Sequence, residues 1–187
     1  MNFSNIKAAA IDLTVNDQLL TDELCSIPES KWLSHVDPYT GHTWKTIWLT
    51  INNVDNFTDF KKSKALPHSS WFWDDTLDIP YIKSLVESLP INTIGMVRGF
   101  ILNGPLVMHV DSDNTTPTDL NKNLALTIAT KMPNPMLMDG KIEVGERYVL
   151  FNDSVLHGFP QSEDEQISIR IFGEFDYDKL NITKVYL

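Results

Sequence analysis

The sequence predicts a mainly β, α+β fold, in which a mixed N-terminal part over residues 1–91 leads into an antiparallel β-sandwich or jelly roll over residues 92–176. Two segments of the N-terminal part have apolar residues at helical spacing. The second part is a series of short segments rich in β-branched residues, separated by Asn-Gly, Asp-Gly and Pro turns. With 187 residues and 42% apolar content, the chain 1–187 is expected to form one domain.

The N-terminal part contains two predicted helices and one predicted strand. The segment DQLLTDELCSI (17–27) has approximately helical apolar spacing after an aspartate cap. The segment TWKTIWLTINN (43–53) alternates and is rich in aromatic and β-branched residues, which favours a strand. In DIPYIKSLVESLP (78–90) the apolar residues again have helical spacing, and Pro90 ends the helix.

The second part is predicted to consist of short strands. Five segments fit a strand pattern. They are INTIGMVRGFIL (91–102), PLVMHV (105–110), NLALTIAT (123–130), KIEVGERYVLF (141–151) and QISIRIFGEF (166–175). Between them, the methionines at 132, 136 and 138 flank two prolines, which indicates a loop.

Charge and cysteine content restrict the possible partners. A net charge of −10 argues against a nucleic-acid ligand and against an anionic membrane surface, so an anionic ligand would need a local basic residue. The one cysteine, Cys25, excludes an intramolecular disulfide and a multi-cysteine zinc site. The N-terminus lacks a basic signal-peptide region and no apolar run approaches ~20 residues, so we expect a cytoplasmic location. The oligomeric state is left open.

The tripeptide His-Val-Asp occurs twice, at residues 35–37 and 109–111. His and Asp two positions apart point to the same side of an extended strand and could both bind one metal ion. A facial triad of two His and one carboxylate also needs a second His, and His157 directly follows another predicted strand. The first copy has no such context, because Pro38 and Gly41 follow it, and is predicted to be a solvated turn.

Arg170 lies thirteen residues beyond His157, in the middle of an apolar strand. Alternation puts Ser168, Arg170 and Phe172 on one face of that strand and three isoleucines on the other. A guanidinium is costly to bury without an anion, and its planar fork suits a carboxylate. Two His, one carboxylate and a carboxylate receptor are the minimum site of an Fe(II) enzyme that uses 2-oxoglutarate. A structural ion pair of Arg170 is the alternative.

Four segments, taken in order, resemble the aspartyl/asparaginyl β-hydroxylase-like branch of the Fe(II)/2-oxoglutarate-dependent dioxygenases, which includes proline cis-hydroxylases. The segments cover most of residues 39–175. They are YTGHTWKTIWL, RGFILNGPLVMHVDSD, NLALTIAT followed by GERYVLFNDSVLHGF, and ISIRIFGEF. The resemblance implies a double-stranded β-helix (a cupin-like jelly roll) with N-terminal helices.

The resemblance also implies a set of ligand contacts for Fe(II), for the cosubstrate and for the substrate. The expected residues are His109, Asp111 and His157 for the metal; Arg170, Ser168 and Asn123 for 2-oxoglutarate; and Arg98, Trp44 and Tyr39 for the substrate. O2 is the implied oxidant, and ascorbate is the expected reductant in vitro. A retained metal carboxylate, Asp111, favours hydroxylation over halogenation.

Three functions remain open from the sequence. The first is hydroxylation of an amino acid, free or within a peptide, with release of succinate and CO2. The second is the same chemistry on another small metabolite. The third is a cupin-like metal-binding module without turnover, which would have no need of a carboxylate receptor such as Arg170. For Arg98, a buried structural pair is the alternative to a substrate carboxylate.

Overall fold

The computed structural model describes residues 6–36, 41–53, 63–111, 124–132, 134–160 and 164–187. Two α-helices lie entirely within these segments, α1 (Asp17–Ser26) and α2 (Pro80–Ser88). Short 3-10 turns cover Glu29–Lys31 and His68–Ser70. The strands are β1 (Ala8–Ile11), β2 (Leu33–Val36), β3 (Thr43–Trp48), β4 (Thr50–Ile51), β5 (Phe72–Trp73), β6 (Ile91–Asn103), β7 (Leu106–His109), β8 (Leu124–Lys131), β9 (Met136–Met138), β10 (Ile142–Val144), β11 (Tyr148–Asn152), β12 (His157–Phe159), β13 (Glu165–Phe175) and β14 (Ile182–Tyr186).

The strands form one large and one small antiparallel sheet and one short hairpin. The large sheet has eight strands in the order β14-β1-β11-β8-β13-β6-β3-β2, and the small sheet has four in the order β10-β9-β12-β7. Strands β4 and β5 pair with each other. The predicted mainly β class with antiparallel sheets is therefore confirmed. None of the helices in the described segments has the length and apolar character needed to span a membrane.

The two helices are capped by side chains, which fixes where each begins. The side-chain oxygen of Asn16 accepts the N–H of Leu19 at 3.2 Å, so Asn16 caps α1, one residue before the predicted aspartate. The carboxylate of Glu23 accepts the N–H groups of Tyr81 and Ile82 at 2.6 and 2.8 Å. A side chain of α1 therefore caps α2 and ties the two helices together.

Strand β13 separates two apolar layers, as its alternation predicts. Ile167, Ile169 and Ile171 are buried in one cluster with the apolar faces of both helices. Phe172, on the opposite face, is buried in a second cluster with residues of the small sheet such as Met138. The inner face of the large sheet, which carries the even-numbered residues of β13, is thus the face that builds the functional site.

Three local predictions were wrong. Residues 141–151 form two strands, β10 and β11, which belong to different sheets, instead of one. Met136–Met138, predicted as a loop, is strand β9 and pairs with both β10 and β12. His35 and Val36 of the first His-Val-Asp copy, predicted as a turn, lie in β2, where His35 is paired with Trp44 of β3.

Candidate functional site

The two predicted metal histidines meet across a strand pair. Strands β7 and β12 run antiparallel, and His109 and His157 are Cα partners. Asp111 follows β7, and its N–H donates to the backbone carbonyl of Asp153 at 3.0 Å. Its carboxylate lies 3.3 Å from Nε2 of His109 and 3.5 Å from Nε2 of His157. All three donor atoms lie within 4.8 Å of one another.

Backbone carbonyls set the orientation of both imidazoles. Nδ1 of His109 bonds the carbonyl of Val107, and Nδ1 of His157 bonds the carbonyl of Val155, each at 2.8 Å. Because a carbonyl oxygen only accepts, each Nδ1 carries a proton, which leaves Nε2 of each ring as the atom that can bind a metal ion. Nε2 of His157 is buried and has no hydrogen-bond partner among the described residues. Such an atom fits a metal ligand.

Electrostatics keep the carboxylate ionised. Burial alone would raise the pKa of Asp111, but the two imidazoles and Arg170 together hold it well below its usual value. Burial lowers the pKa of His157 by more than Asp111 raises it, so this imidazole is neutral near pH 7. At His109 burial also lowers the pKa, but Asp111 and the Val107 carbonyl outweigh it and the net shift is upward. An ionised carboxylate beside two imidazoles that can each bind a metal ion through Nε2 is the donor set of a facial triad.

Two arginines face each other beside these donors. Arg98 of β6 and Arg170 of β13 are Cα partners, and each residue is 8% exposed. Both guanidiniums lie 4.9 Å from the ring centre of Phe100. Nη1 of Arg170 donates to Asp111 at 2.7 Å. Burial, followed by the charge of Arg170, lowers the pKa of Arg98 to about 9, so Arg98 remains charged at neutral pH.

A cavity of about 360 Å³ lies against this cluster. This volume lies within the range of small-molecule sites. The structure brings His109, Asp111, Arg170, Ser168, Arg98 and Trp44 together in its wall. His157 lies next to the wall through its contact with Asp111. Tyr39 and Asn123, also predicted to contact ligands, lie outside the described residues.

Four further polar residues line the cavity and were missed. They are His35, Thr46, Thr127 and Gln166. Three buried polar atoms of the wall have no hydrogen-bond partner in the described part of the chain. They are the hydroxyl oxygen of Thr127, the side-chain carbonyl oxygen of Gln166 and Nε of Arg170. The alternation that singled out Arg170 also places Gln166 on its face of β13, so this residue could have been found. His35 gave no such signal, because its place depends on pairing with β3.

Asp153 contacts the metal donor Asp111 through its backbone carbonyl, which accepts the N–H of Asp111. Asp153 is fully buried and forms an ion pair with Lys64, so its side chain does not cap the turn that follows β11. Burial raises the pKa of Asp153 to about 6, although Lys64 opposes the shift. The turn is capped instead by Asn152, whose side-chain oxygen accepts the N–H and hydroxyl of Ser154. Asp153 therefore holds the backbone of Asp111 in place.

Comparisons with known proteins find a similar solved structure but no matching family model or curated protein. No protein-family model matches the chain, and no curated protein matches it. Among solved structures, the chain is similar to the crystal structure of a Pseudomonas putida prolyl-4-hydroxylase, with a TM-score of 0.48 and 10% identity. The alignment covers 92% of this chain and 95% of that one. We therefore take the function from the geometry of the site.

Proposed function

We propose that the protein is an Fe(II)- and 2-oxoglutarate-dependent oxygenase that hydroxylates an amino acid, free or within a peptide. The observation that carries this proposal is the convergence of His109, Asp111 and His157 within 4.8 Å at the wall of a cavity that also contains Arg170. A metal-binding module would need the three donors alone. An oxygenase of this class needs both the donors and a receptor for the far carboxylate of 2-oxoglutarate.

The donor set fits a first-row metal ion. The separations of 3.3 and 3.5 Å between Asp111 and the two imidazoles are near the ~3 Å expected for adjacent ligands on one face of such an ion. Two imidazoles and one carboxylate leave positions open, as a catalytic site requires. When bound, Fe(II) and 2-oxoglutarate supply the oxidising chemistry with O2, and succinate and CO2 are released.

Arg170 would hold the far carboxylate of 2-oxoglutarate through its guanidinium fork. Thr127 is its Cα partner on β8, and the buried Thr127 hydroxyl would add a donor to the same carboxylate. Ser168, on the same face of β13, would add another. Arg98 would orient a substrate carboxylate from the facing strand, and Trp44 would contact the substrate farther along the same cavity.

We also propose that the strands from β6 to β13 form a double-stranded β-helix. Successive strands are divided between the two sheets, with the order β11-β8-β13-β6 in one and β10-β9-β12-β7 in the other. Eight strands in two sheets of four are the parts of a jelly roll. A single domain over 1–187, membership of the aspartyl/asparaginyl β-hydroxylase-like branch, a cytoplasmic location and the absence of nucleic-acid and membrane partners remain predictions from the sequence.

An anaerobic titration tests the function. Fe(II) and 2-oxoglutarate are added to the purified protein, and the visible charge-transfer absorption of the chelated cosubstrate is followed. Aerobic incubation with ascorbate and a panel of free amino acids and peptides then reports succinate release and mass gain by one oxygen atom. His109→Ala should abolish all three signals, whereas His42→Ala, an exposed histidine outside the cavity, should change none. Iron binding without 2-oxoglutarate binding would favour the non-catalytic metal module.

A further inference from the structure

We propose that Gln166 and His35 form the substrate-selecting end of the cavity, and that the substrate is an amino acid whose side chain ends in a hydrogen-bond-donating group. This inference rests on the proposed function, because it assigns the end of the cavity that lies away from the metal donors. Neither residue is required for Fe(II) or 2-oxoglutarate binding in that scheme.

The two residues lie in one row across the inner face of the large sheet. Gln166 is the Cα partner of Leu102, Leu102 of Trp44, and Trp44 of His35. Arg98 and Arg170 form another row, which meets Asp111. On β13 the rows are four residues apart, which is about 13 Å of extended strand. The cavity reaches both rows and is therefore longer than the part next to the metal donors.

Gln166 is the more constrained of the two. It is 1% exposed, and its side-chain carbonyl has no hydrogen-bond partner among the residues that the structure describes. Leaving a buried amide oxygen unpaired is costly. Because the side chain lines the cavity, a ligand there can supply the missing donor. The missing partner is an N–H or O–H group, since a carbonyl oxygen only accepts.

His35 forms the opposite side of this end. Its ring is stacked on Trp44 with centroids 5.2 Å apart, and its Nε2 lies 3.0 Å from the hydroxyl of Thr46. Burial, assisted by the charge of Arg98, lowers the pKa of His35, so the ring is neutral, and Nδ1, the nitrogen that does not bond Thr46, can donate or accept one hydrogen bond. The floor between the two polar walls is Trp44 and Leu102. The end of the cavity therefore suits an apolar side-chain body with a polar tip.

The row of Arg98 and Arg170 indicates which group lies at the other end of the ligand. A carboxylate near Arg98 and a polar tip near Gln166 require the two groups to be separated by several bonds. Free amino acids such as L-glutamine and L-lysine have this arrangement. L-norleucine has a similar apolar body without the polar tip, so it is the matched control ligand.

The test measures binding and not turnover. Ligand-observed NMR under anaerobic conditions gives the dissociation constants of L-glutamine, L-lysine and L-norleucine, with and without Fe(II) and 2-oxoglutarate. The protein is compared with Gln166→Leu, Gln166→Met and His35→Phe, the last of which keeps the stacking on Trp44. Gln18→Leu and His42→Phe are control variants at exposed positions outside the cavity. Thermal unfolding shows which variants are folded.

We expect at least one polar-ended amino acid to bind ten times more tightly than L-norleucine. The Gln166 and His35 variants should lose about tenfold in that preference, and the control variants should keep it. The charge-transfer absorption with Fe(II) and 2-oxoglutarate should be unchanged in all of them. Equal binding of L-norleucine, no binding of any of the three, or a preference that persists in the folded Gln166 and His35 variants overturns the inference. If the unaltered protein shows no charge-transfer absorption with Fe(II) and 2-oxoglutarate, the proposed function is refuted instead.

Discussion

Replacing Arg170 by methionine should weaken the binding of 2-oxoglutarate and strengthen the binding of Fe(II). Methionine keeps much of the apolar stem that packs on Phe100 and Phe151, each 4.9 Å from the guanidinium, but removes the charged fork. In the proposed scheme Arg170 has two partners. Without ligand it donates to Asp111 at 2.7 Å, and with ligand it would hold the far carboxylate of 2-oxoglutarate.

The size of each change follows from the burial of these groups. Truncating one member of a buried charged pair costs about 2–5 kcal/mol of binding. The dissociation constant of 2-oxoglutarate should therefore rise at least ~30-fold. Fe(II) competes with Arg170 for the carboxylate of Asp111, and a hydrogen bond to a charged group contributes about 1.5–3 kcal/mol. Without cosubstrate, the variant should therefore bind Fe(II) about tenfold more tightly.

Arg98→Met is the matched control, because Arg98 faces Arg170 on the neighbouring strand with the same 8% exposure. Anaerobic titrations of Fe(II) alone, and of 2-oxoglutarate into the Fe(II) protein, give both constants for each variant. Arg98→Met should leave the 2-oxoglutarate constant within about threefold of its original value. If the Arg170 variant no longer binds Fe(II) in the titration without cosubstrate, Arg170 is structural and the reasoning fails. Loss of 2-oxoglutarate binding in Arg98→Met alone would reverse the two roles.

Three further changes probe the framework of the site. In Gly158→Ala the added carbon would lie 2.8 Å from a backbone oxygen of β7, so we expect a loss of about 1–3 kcal/mol in urea unfolding and weaker iron binding. Gly145→Ala, which meets nothing within 4 Å, should change stability by less than about 1 kcal/mol. Lys64→Met should lower the free energy of unfolding by about 3–5 kcal/mol, because it leaves Asp153 buried and unpaired. Adding Asp153→Leu to this variant should recover most of that loss. Equal stability of the single and double variants would contradict this. Glu23→Ala should cost about 1–2 kcal/mol in thermal or urea unfolding, because both capped N–H groups of α2 lose their acceptor; no change would mean that water replaces the cap.

The sequence was most informative where a local pattern decides the structure. The helical spacing in residues 17–27 and 78–90 gave both helices to within two residues at each end. Alternation in β13 gave the two faces of that strand, and hence the direction of Arg170. These patterns depend only on residues that are neighbours along the chain, so they can be read without knowing the fold.

The misses depend on contacts between distant parts of the chain. Residues 141–151 fit a strand pattern as one segment, yet the segment breaks near Gly145 and its halves join different sheets, which only the partner strands β9 and β8 determine. Strands β1 and β14 were missed for the same reason: β14 is an edge strand that pairs with β1, and β1 lies between β14 and β11. Thr127 is placed beside Arg170, in the wall of the cavity, only by the pairing of β8 with β13.

The two His-Val-Asp copies show why spacing alone does not make a metal site. His109 lies at the end of β7 opposite His157, and the chain then places Asp111 against Asp153, so three donors converge. His35 has the same neighbours in sequence, but its cross-strand partner is Trp44, and its ring nitrogen bonds Thr46. A metal ion at the first copy would find an aromatic ring where the second copy offers an imidazole. The same tripeptide therefore provides metal donors at one end of the cavity and, in our proposal, a substrate contact at the other, and the partner strand determines which.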